Sequence, residues 1–344
     1  MPERAGSALA GRAAVLRGPG DVRLEERAHG AVQPSGWAVV QVEASAVCGT
    51  DVEIYRGGVP VEPGRVMGHE GAGTLVAVPR GHPDLEAGMR VLVNPVVFCG
   101  RCVECANGRF NLCPEGGLLG RDLDGVFADR VVVPAGNCHL LPDGLRLEEA
   151  PAIQLLSTVA HAHERVSVAP GRIAAVIGLG FTGQLHAQLL RLRGARVVGI
   201  TRTASKRELA GRLACEWTAA PDETEALLRE LDPRGFVDLV VECSGALEAL
   251  ALAMRIVRPG GTVLCYGTMT ESAGSLPFYA VYFKELSIVG TRAARPPDVE
   301  VAIDLVARGA VELAPLISDQ LPLERVAEAL ERSREGALKV VLAH

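Results

Sequence analysis

The chain has 344 residues, 48% of them hydrophobic and 22% charged, with a net charge of −6. This length favours two domains over one core, and the negative balance excludes nucleic acid as the main partner, because phosphate binding needs a concentrated excess of Lys and Arg. No apolar run approaches the ~20 residues of a membrane span, and the opening "MPERAGSALAGRAAVLRG" lacks the apolar core of a secretory signal. The expectation is a cytoplasmic protein whose nine cysteines are metal ligands or buried thiols rather than disulfides.

Short strand-like runs, "WAVVQVEASAV", "RVLVNP" and "FADRVVVP", are separated by turn signals and predict an irregular all-β domain over the first 150 residues. The texture changes near Glu148. "EEAPAIQLLSTVAHAHERV" has helical apolar spacing and stops before the turn "APG" at 169–171. Strand and helix then alternate: strand "IAAVI", helix 181–193, strand "ARVVGI", helix 204–214, and strands "FVDLVVEC", "GTVLCYG" and "LSIVGT". Such alternation predicts a doubly wound parallel sheet. After "ARPPD" at 294–298 come two helical stretches and a closing strand, "LKVVLA", expected to pack back onto the first domain. The expected division is 1–155 with 295–344 for one domain and 156–294 for the other.

Cys99, Cys102, Cys105 and Cys113 form C-x2-C-x2-C-x7-C inside a lobe at about 95–115. Four thiolates on one short loop close a tetrahedron around Zn²⁺ and leave no open position, which makes such a site structural. An iron–sulfur cluster shares the first two intervals and a Cys-Pro end, but its last interval is three residues rather than seven. Unliganded thiols are the plain alternative.

"AAVIGLGFTG" places Gly178, Gly180 and Gly183 in G-x-G-x-x-G after a strand and before a helix, with Phe181 and Thr182 inside the motif. Alone the motif is weak; in this setting it permits a sharp turn and close approach of a pyrophosphate. An NAD site places an acid about twenty residues past the first glycine to hold the ribose 2′-OH. Thr201 and Arg202 occupy that corner instead, and no acid appears until Glu208. A hydroxyl and a guanidinium suit a 2′-phosphate, so NADP(H) is expected over NAD(H). Lys206 and Arg207 add positive charge, although both also suit a solvated helix start.

Upstream stand "VCGTDVEIYRG" (47–57) and "VMGHEGAGTLVAV" (66–78). Taken singly, Cys48 suits a buried small side chain and His69 a satisfied loop histidine. In order, Cys-Gly-Thr-Asp, Gly-His-Glu, the four-cysteine lobe, "DGVFADRVVVP" and the glycine motif resemble the zinc-containing medium-chain alcohol and polyol dehydrogenases over roughly residues 12–343. The resemblance implies a GroES-like irregular β domain joined to a Rossmann doubly wound parallel sheet. It implies that Cys48 and His69 ligate a second, catalytic zinc, with Glu70 an occasional ligand, Asp51 orienting His69 and Thr50 passing the substrate's hydroxyl proton outward. Zinc with an open position would take the alcohol oxygen and lower its pKa, and hydride would pass to the nicotinamide. Cys243, Tyr266 and Gly267 are implied as further cofactor contacts, and a homodimer or homotetramer as the assembly, built partly by edge strands such as "LSIVGT".

Two positions depart from the family pattern. Gln154 stands where a Cys or Glu normally supplies the third zinc ligand, and an amide leaves the site one unit more positive than a carboxylate would. Glu53 stands where many members carry a relay histidine, and suits a solvated surface charge as well as a relay. The implied activity is exchange of a hydride between NADP(H) and a small-molecule secondary alcohol or polyol, or its carbonyl counterpart. A zinc-independent reductase of activated C=C bonds and a non-enzymatic zinc-lobe binding protein are the rivals. Leu118, Arg121 and Phe278 are generic candidates for lining a substrate pocket.

Overall fold

The computed structural model describes residues 9–29, 35–269 and 275–344; the first eight residues of the stretch weighed as a secretory signal lie outside them. The chain divides into two compact units: residues 1–157, 294–309 and 313–344, and residues 158–293 with 310–312.

The first unit is built on a seven-stranded sheet. Its central strand, Trp37–Val47, is buried along almost its whole length, as expected for a Val- and Ala-rich strand covered on both faces. Glu70–Ala77 pairs along one edge, while Arg130–Pro134 and Val340–Ala343 share the other, all antiparallel. The closing strand is therefore not an appendage but an inner member of this sheet, between Trp37–Val47 and Asp319–Pro322. Met67, Leu75, Val91, Leu119 and Phe127 fill the adjoining core, each no more than 1% exposed. The β-rich expectation misses helix α1 (Gly49–Tyr55), whose seven residues are too few for a periodic apolar signature. Helix α2 (Ala150–Glu164) follows the β-rich segment as its spacing predicts.

The second unit is a six-stranded parallel sheet: β1 (Ile173–Ile177), β2 (Arg196–Ile200), β3 (Trp217–Ala219), β4 (Val237–Glu242), β5 (Val257–Cys265) and β6 (Ser287–Gly290). Their order is β3-β2-β1-β4-β5-β6, all neighbours parallel. Helices α3 (Phe181–Leu192) and α4 (Ala204–Leu213) follow β1 and β2. The strand order reverses between β1 and β4, and a ligand of such a sheet sits outside the carboxyl ends of the strands at that switch point. The loops that leave β1 and β4 there are Gly178–Gly180 and Cys243–Ala246.

Candidate active site

The four-cysteine lobe is closed by the short pair Val96–Val97 and Gly117–Leu118, and the Phe98 and Phe110 rings meet beside it at a tilt of 39° with centroids 4.6 Å apart. The chain wraps so that backbone N–H groups aim at sulfur: Cys99 N at Cys113 Sγ (3.4 Å), Cys102 N at Cys99 Sγ (3.3 Å) and Cys105 N at Cys102 Sγ (3.5 Å). The backbone N–H of Arg101 leads in lowering the Cys99 thiol to about 7, whereas burial pushes Cys105 up to about 12. All four sulfurs lie within 4.8 Å of one another. Cys102 and Cys113 Sγ are 3.8 Å apart, about the edge of a tetrahedron with zinc–sulfur bonds of about 2.3 Å. The donor set fits a closed zinc site.

The second cluster gathers at the ends of three neighbouring strands. Ala46 pairs with Glu70, and Val47 with Val340, so that Cys48, His69, Glu70 and Lys339 adjoin by strand register alone. Gly68 has φ +90°, and a Cβ there would stand 2.2 Å from the Phe127 ring; only glycine lets the strand deliver His69 here. Asp51, fully buried in the first turn of α1, uses both oxygens: Oδ2 accepts the Cys48 N–H (2.9 Å) and Oδ1 accepts His69 Nδ1–H (3.1 Å). Burial by itself opposes protonation of His69, but the charges of Asp51 and Cys48 outweigh it and raise the ring's pKa well above 6.5. This surrounding favours a cation. Ligand atoms of Cys48, His69 and Glu70 lie within 4.8 Å of one another, and Nδ1 is committed to Asp51, which leaves Nε2 to face a metal. The set fits zinc.

Glu70 is not free, however. Its oxygens accept from Lys339 Nζ at 2.7 and 3.0 Å, and the same ammonium reaches the Val47 carbonyl at 3.1 Å. Sequence reasoning missed Lys339. Its one signal was that lysine is rare in this arginine-rich chain, with only Lys206, Lys284 and Lys339. Gln154 lies on α2, buried, and its Oε1 accepts no hydrogen bond among the described residues. A buried amide oxygen left so fits a ligand or a donor that the chain itself does not supply. Thr50, half-buried in the first turn of α1, has no side-chain hydrogen bond among the described residues. Glu53 is exposed and 3.5 Å from Arg56, a solvated surface pair. Arg121 is engaged with its neighbour Asp122 at 2.7 Å, Leu118 is half-buried, and Phe278 is 66% exposed.

At the switch point the three motif glycines have separate reasons. Gly178 turns at φ +91° with Ser244 N only 3.0 Å from where a Cβ would stand. A Cβ on Gly183 would meet the Gly178 carbonyl at 1.9 Å, so α3 can pack on β1 only here as glycine. A Cβ on Gly180 would meet nothing within 4 Å; it would instead stand in open space before α3, on the side where such motifs receive a pyrophosphate. Phe181 is buried and Thr182 half-buried in the first turn of α3. Beneath the turn, the buried Glu242 carboxylate accepts Ser244 N (2.7 Å), Ser244 Oγ (2.5 Å) and Gly245 N (3.0 Å), fixing the loop after β4; sequence reasoning missed this brace too. Cys243 N donates to Ile177 O at 2.8 Å, and burial keeps its thiol well above its ordinary range. Gly267 packs against the backbone of Gly245, 2.2 Å from a would-be Cβ. The Tyr266 side chain is committed inward: its hydroxyl bonds Thr158 Oγ1 (2.6 Å) and its ring meets His186 edge-on at 4.5 Å. Tyr266 can therefore meet a cofactor chiefly through its backbone.

The ribose corner after β2 carries no acid. Thr201 is half-buried and Arg202 exposed, and neither the Arg202 guanidinium nor the Lys206 ammonium has an acidic partner among the described residues. Arg207 is not a solvated helix start: its Nη1 donates to the carbonyls of Thr201 (2.6 Å) and Arg202 (3.0 Å).

Residues 34–143 match the model of the alcohol dehydrogenase GroES-like domain, and residues 182–308 that of the zinc-binding dehydrogenase domain. The chain is 29% identical to D-xylulose reductase A of Aspergillus oryzae, over 96% of this chain and 95% of that one. It is 31% identical to L-galactonate-5-dehydrogenase of Escherichia coli, over 86% and 87%. Among solved structures, alcohol dehydrogenase TADH from Thermus sp. ATN1 superposes with a TM-score of 0.89 at 31% identity, covering 96% of this chain and 99% of that one. A protein of Sinorhizobium meliloti 1021 described as a zinc-binding dehydrogenase, bound to NADP, gives 0.90 at 30% identity, covering 98% and 100%. These relatives do not favour a reductase of activated C=C bonds.

Proposed function

The chain belongs to the zinc-containing medium-chain alcohol and polyol dehydrogenases, and from that membership we propose that it moves hydride between NADP(H) and a secondary alcohol or polyol, or the matching carbonyl compound. The observation that carries this reading is the Asp51 carboxylate, one oxygen on the Cys48 N–H and the other on His69 Nδ1. The bond to the Cys48 N–H is a helix capping box of the kind Arg295 and Asp298 also form; the second bond, which orients a buried histidine beside a cysteine, goes beyond capping. Cys48 and His69 are the assigned ligands of a catalytic zinc, with Glu70 and the Gln154 amide oxygen available to complete its shell, and Cys99, Cys102, Cys105 and Cys113 hold a structural zinc.

When bound, zinc at the first set supplies a Lewis acid for the substrate oxygen, and the nicotinamide ring supplies or accepts the hydride. Asp51 fixes the His69 tautomer and ring orientation. Thr50 takes the hydroxyl proton and hands it outward. Lys339 neutralises Glu70 and restrains it. Gly178, Gly180, Phe181, Thr182 and Gly183 receive the pyrophosphate, and Cys243, Tyr266 and Gly267 offer backbone to the rest of the cofactor. Thr201, Arg202 and Lys206 favour a 2′-phosphate over a bare hydroxyl, because a carboxylate there would repel it and none is present.

Self-association is supported by β6. It ends the parallel sheet without a charge or a proline to blunt its edge, and Phe278, Tyr279, Tyr282 and Phe283, close before it in the chain, are 66–80% exposed. A homodimer or homotetramer is the proposed assembly. Cysteines gathered into metal-donor sets suit the reducing cytoplasm, the proposed location, and no helix among the described residues is long and apolar enough to cross a membrane.

Metal analysis combined with a screen of alcohols and ketones against NADPH and NADH tests the proposal. Two zincs per chain and a preference for NADPH are expected. One zinc per chain, with turnover confined to unsaturated carbonyl compounds, would overturn it.

A further inference from the structure

We infer that Arg207 joins Thr201, Arg202 and Lys206 in setting cofactor choice, as the preorganised anchor for the 2′-phosphate of NADP(H); this rests on the NADP(H) reading above and deepens it. Arg202 is exposed and carries no restraint, so its guanidinium must be ordered whenever it meets a phosphate, at a cost in side-chain entropy. Arg207 is already ordered. It sits in the first turns of α4, half-buried, and its Nη1 is bound by two carbonyls at once, those of Thr201 (2.6 Å) and Arg202 (3.0 Å).

The two carbonyls belong to the residues directly after β2, the corner where a bare-ribose site places its acid. A guanidinium normally finds a carboxylate, as Arg196 does with Glu216 at 2.8 Å on the same unit. Arg207 has no carboxylate partner among the described residues, and its charge is balanced only by carbonyl dipoles. Nη2 and Nε take no acceptor among the described residues, so one edge of the planar fork remains for two oxygens of one anion. The same bonds shape the loop, since they hold the peptide groups that follow Thr201 and Arg202. The ligand class is thus a phosphate monoester on the 2′ position of an adenosine ribose.

The test separates this corner from chemistry and from the rest of the cofactor. Binding of 2′,5′-ADP and of 5′-AMP is measured by calorimetry on the full chain, on Arg207→Met, which keeps an apolar stem, and on Arg207→Lys, which keeps the charge without the fork. In the parent, 2′,5′-ADP should bind at least about tenfold more tightly than 5′-AMP. Arg207→Met should abolish most of that ratio while 5′-AMP stays within about twofold, and Arg207→Lys should retain part of it. A ratio unchanged in Arg207→Met, or equal losses for both ligands, would overturn the inference while leaving the NADP(H) reading intact. If the parent itself shows no preference for 2′,5′-ADP, both fall. Should Arg207→Met fail to fold, Arg207→Lys decides alone, because an unchanged ratio there means that the fork is not used.

Discussion

Lys339 Nζ lies 2.7 and 3.0 Å from the two carboxylate oxygens of Glu70, and their side chains are 2% and 0% exposed. Such a pair gains little over an apolar substitute, yet removing one partner strands a charge in the interior. Glu70 also belongs to the cluster with Cys48 and His69. Its carboxylate thus has two claimants: the ammonium that holds it and the zinc proposed for the cluster.

That competition is measurable. Lys339→Met should destabilise the zinc-stripped protein by about 3–5 kcal/mol, the usual loss when a buried pair is broken. With zinc restored the loss should shrink, because the released Glu70 can turn to the metal. Urea unfolding with and without zinc checks this. An equal loss in both would mean that Glu70 never reaches the ion.

Gln154→Glu should strengthen retention of the second zinc. The parent amide offers a buried, unpartnered oxygen without charge, and a carboxylate there would add the missing negative unit. Chelator competition followed by metal analysis should show slower release of one zinc and no change in the other. Cys48→Ser should lose the same zinc and the activity with it. If release from Gln154→Glu matched the parent, the residue would have no part in the metal shell.

Cys102→Ser should release the lobe zinc and lower thermal stability, since three thiolates leave an open, weaker site. The Cys102 sulfur also accepts the Cys105 N–H, so one backbone contact is weakened with it. Differential scanning calorimetry and zinc analysis read both effects. A variant that kept its metal and its melting temperature would show that the lobe is not zinc-held.

Acid should unfold the second unit through a histidine pair. His163 Nε2 and His186 Nδ1 are 2.9 Å apart in the interior. Burial is the leading cause that lowers His163 to about 3 and holds His186 well below 6.5. Both rings stay neutral in the folded chain but take up protons in the unfolded chain below about pH 6.5. Stability is therefore fully present above that pH and lost as pH falls toward 3, by up to about 1.4 kcal/mol per pH unit for each ring. Urea unfolding at pH 7, 6 and 5 should show a shallower acid limb for His163→Gln than for the parent. Parallel limbs would remove the pair from the explanation.

What the sequence made legible was local. The cysteine spacing, G-x-G-x-x-G and the Cys-Gly-Thr-Asp and Gly-His-Glu segments each lie within one turn or loop, so their geometry follows from spacing. Lys339 was not legible because its place depends on strand register, Val47 against Val340 and Ala46 against Glu70, between segments remote in the chain. Strand β3, at three residues, is too short for a period-2 signal to stand above its surroundings. Arg207 looked like a helix-start cation because nothing in the order of residues says that its fork folds back onto Thr201 and Arg202.

The placement of Val340–Ala343 inside the sheet also sets an order of assembly. Its partner Trp37–Val47 is made early, yet that edge beside Ala44–Val47 stays unpaired until nearly three hundred further residues have emerged. The parallel-sheet unit, almost wholly one continuous segment from 158 to 293, has its strands in hand well before then. Closure of so long-range a pairing is slow, and until it occurs Cys48, His69 and Glu70 lack the partner that Lys339 supplies in the finished sheet. Glu70 is thus made long before the one lysine that holds it, and the last strand to be made brings that ammonium.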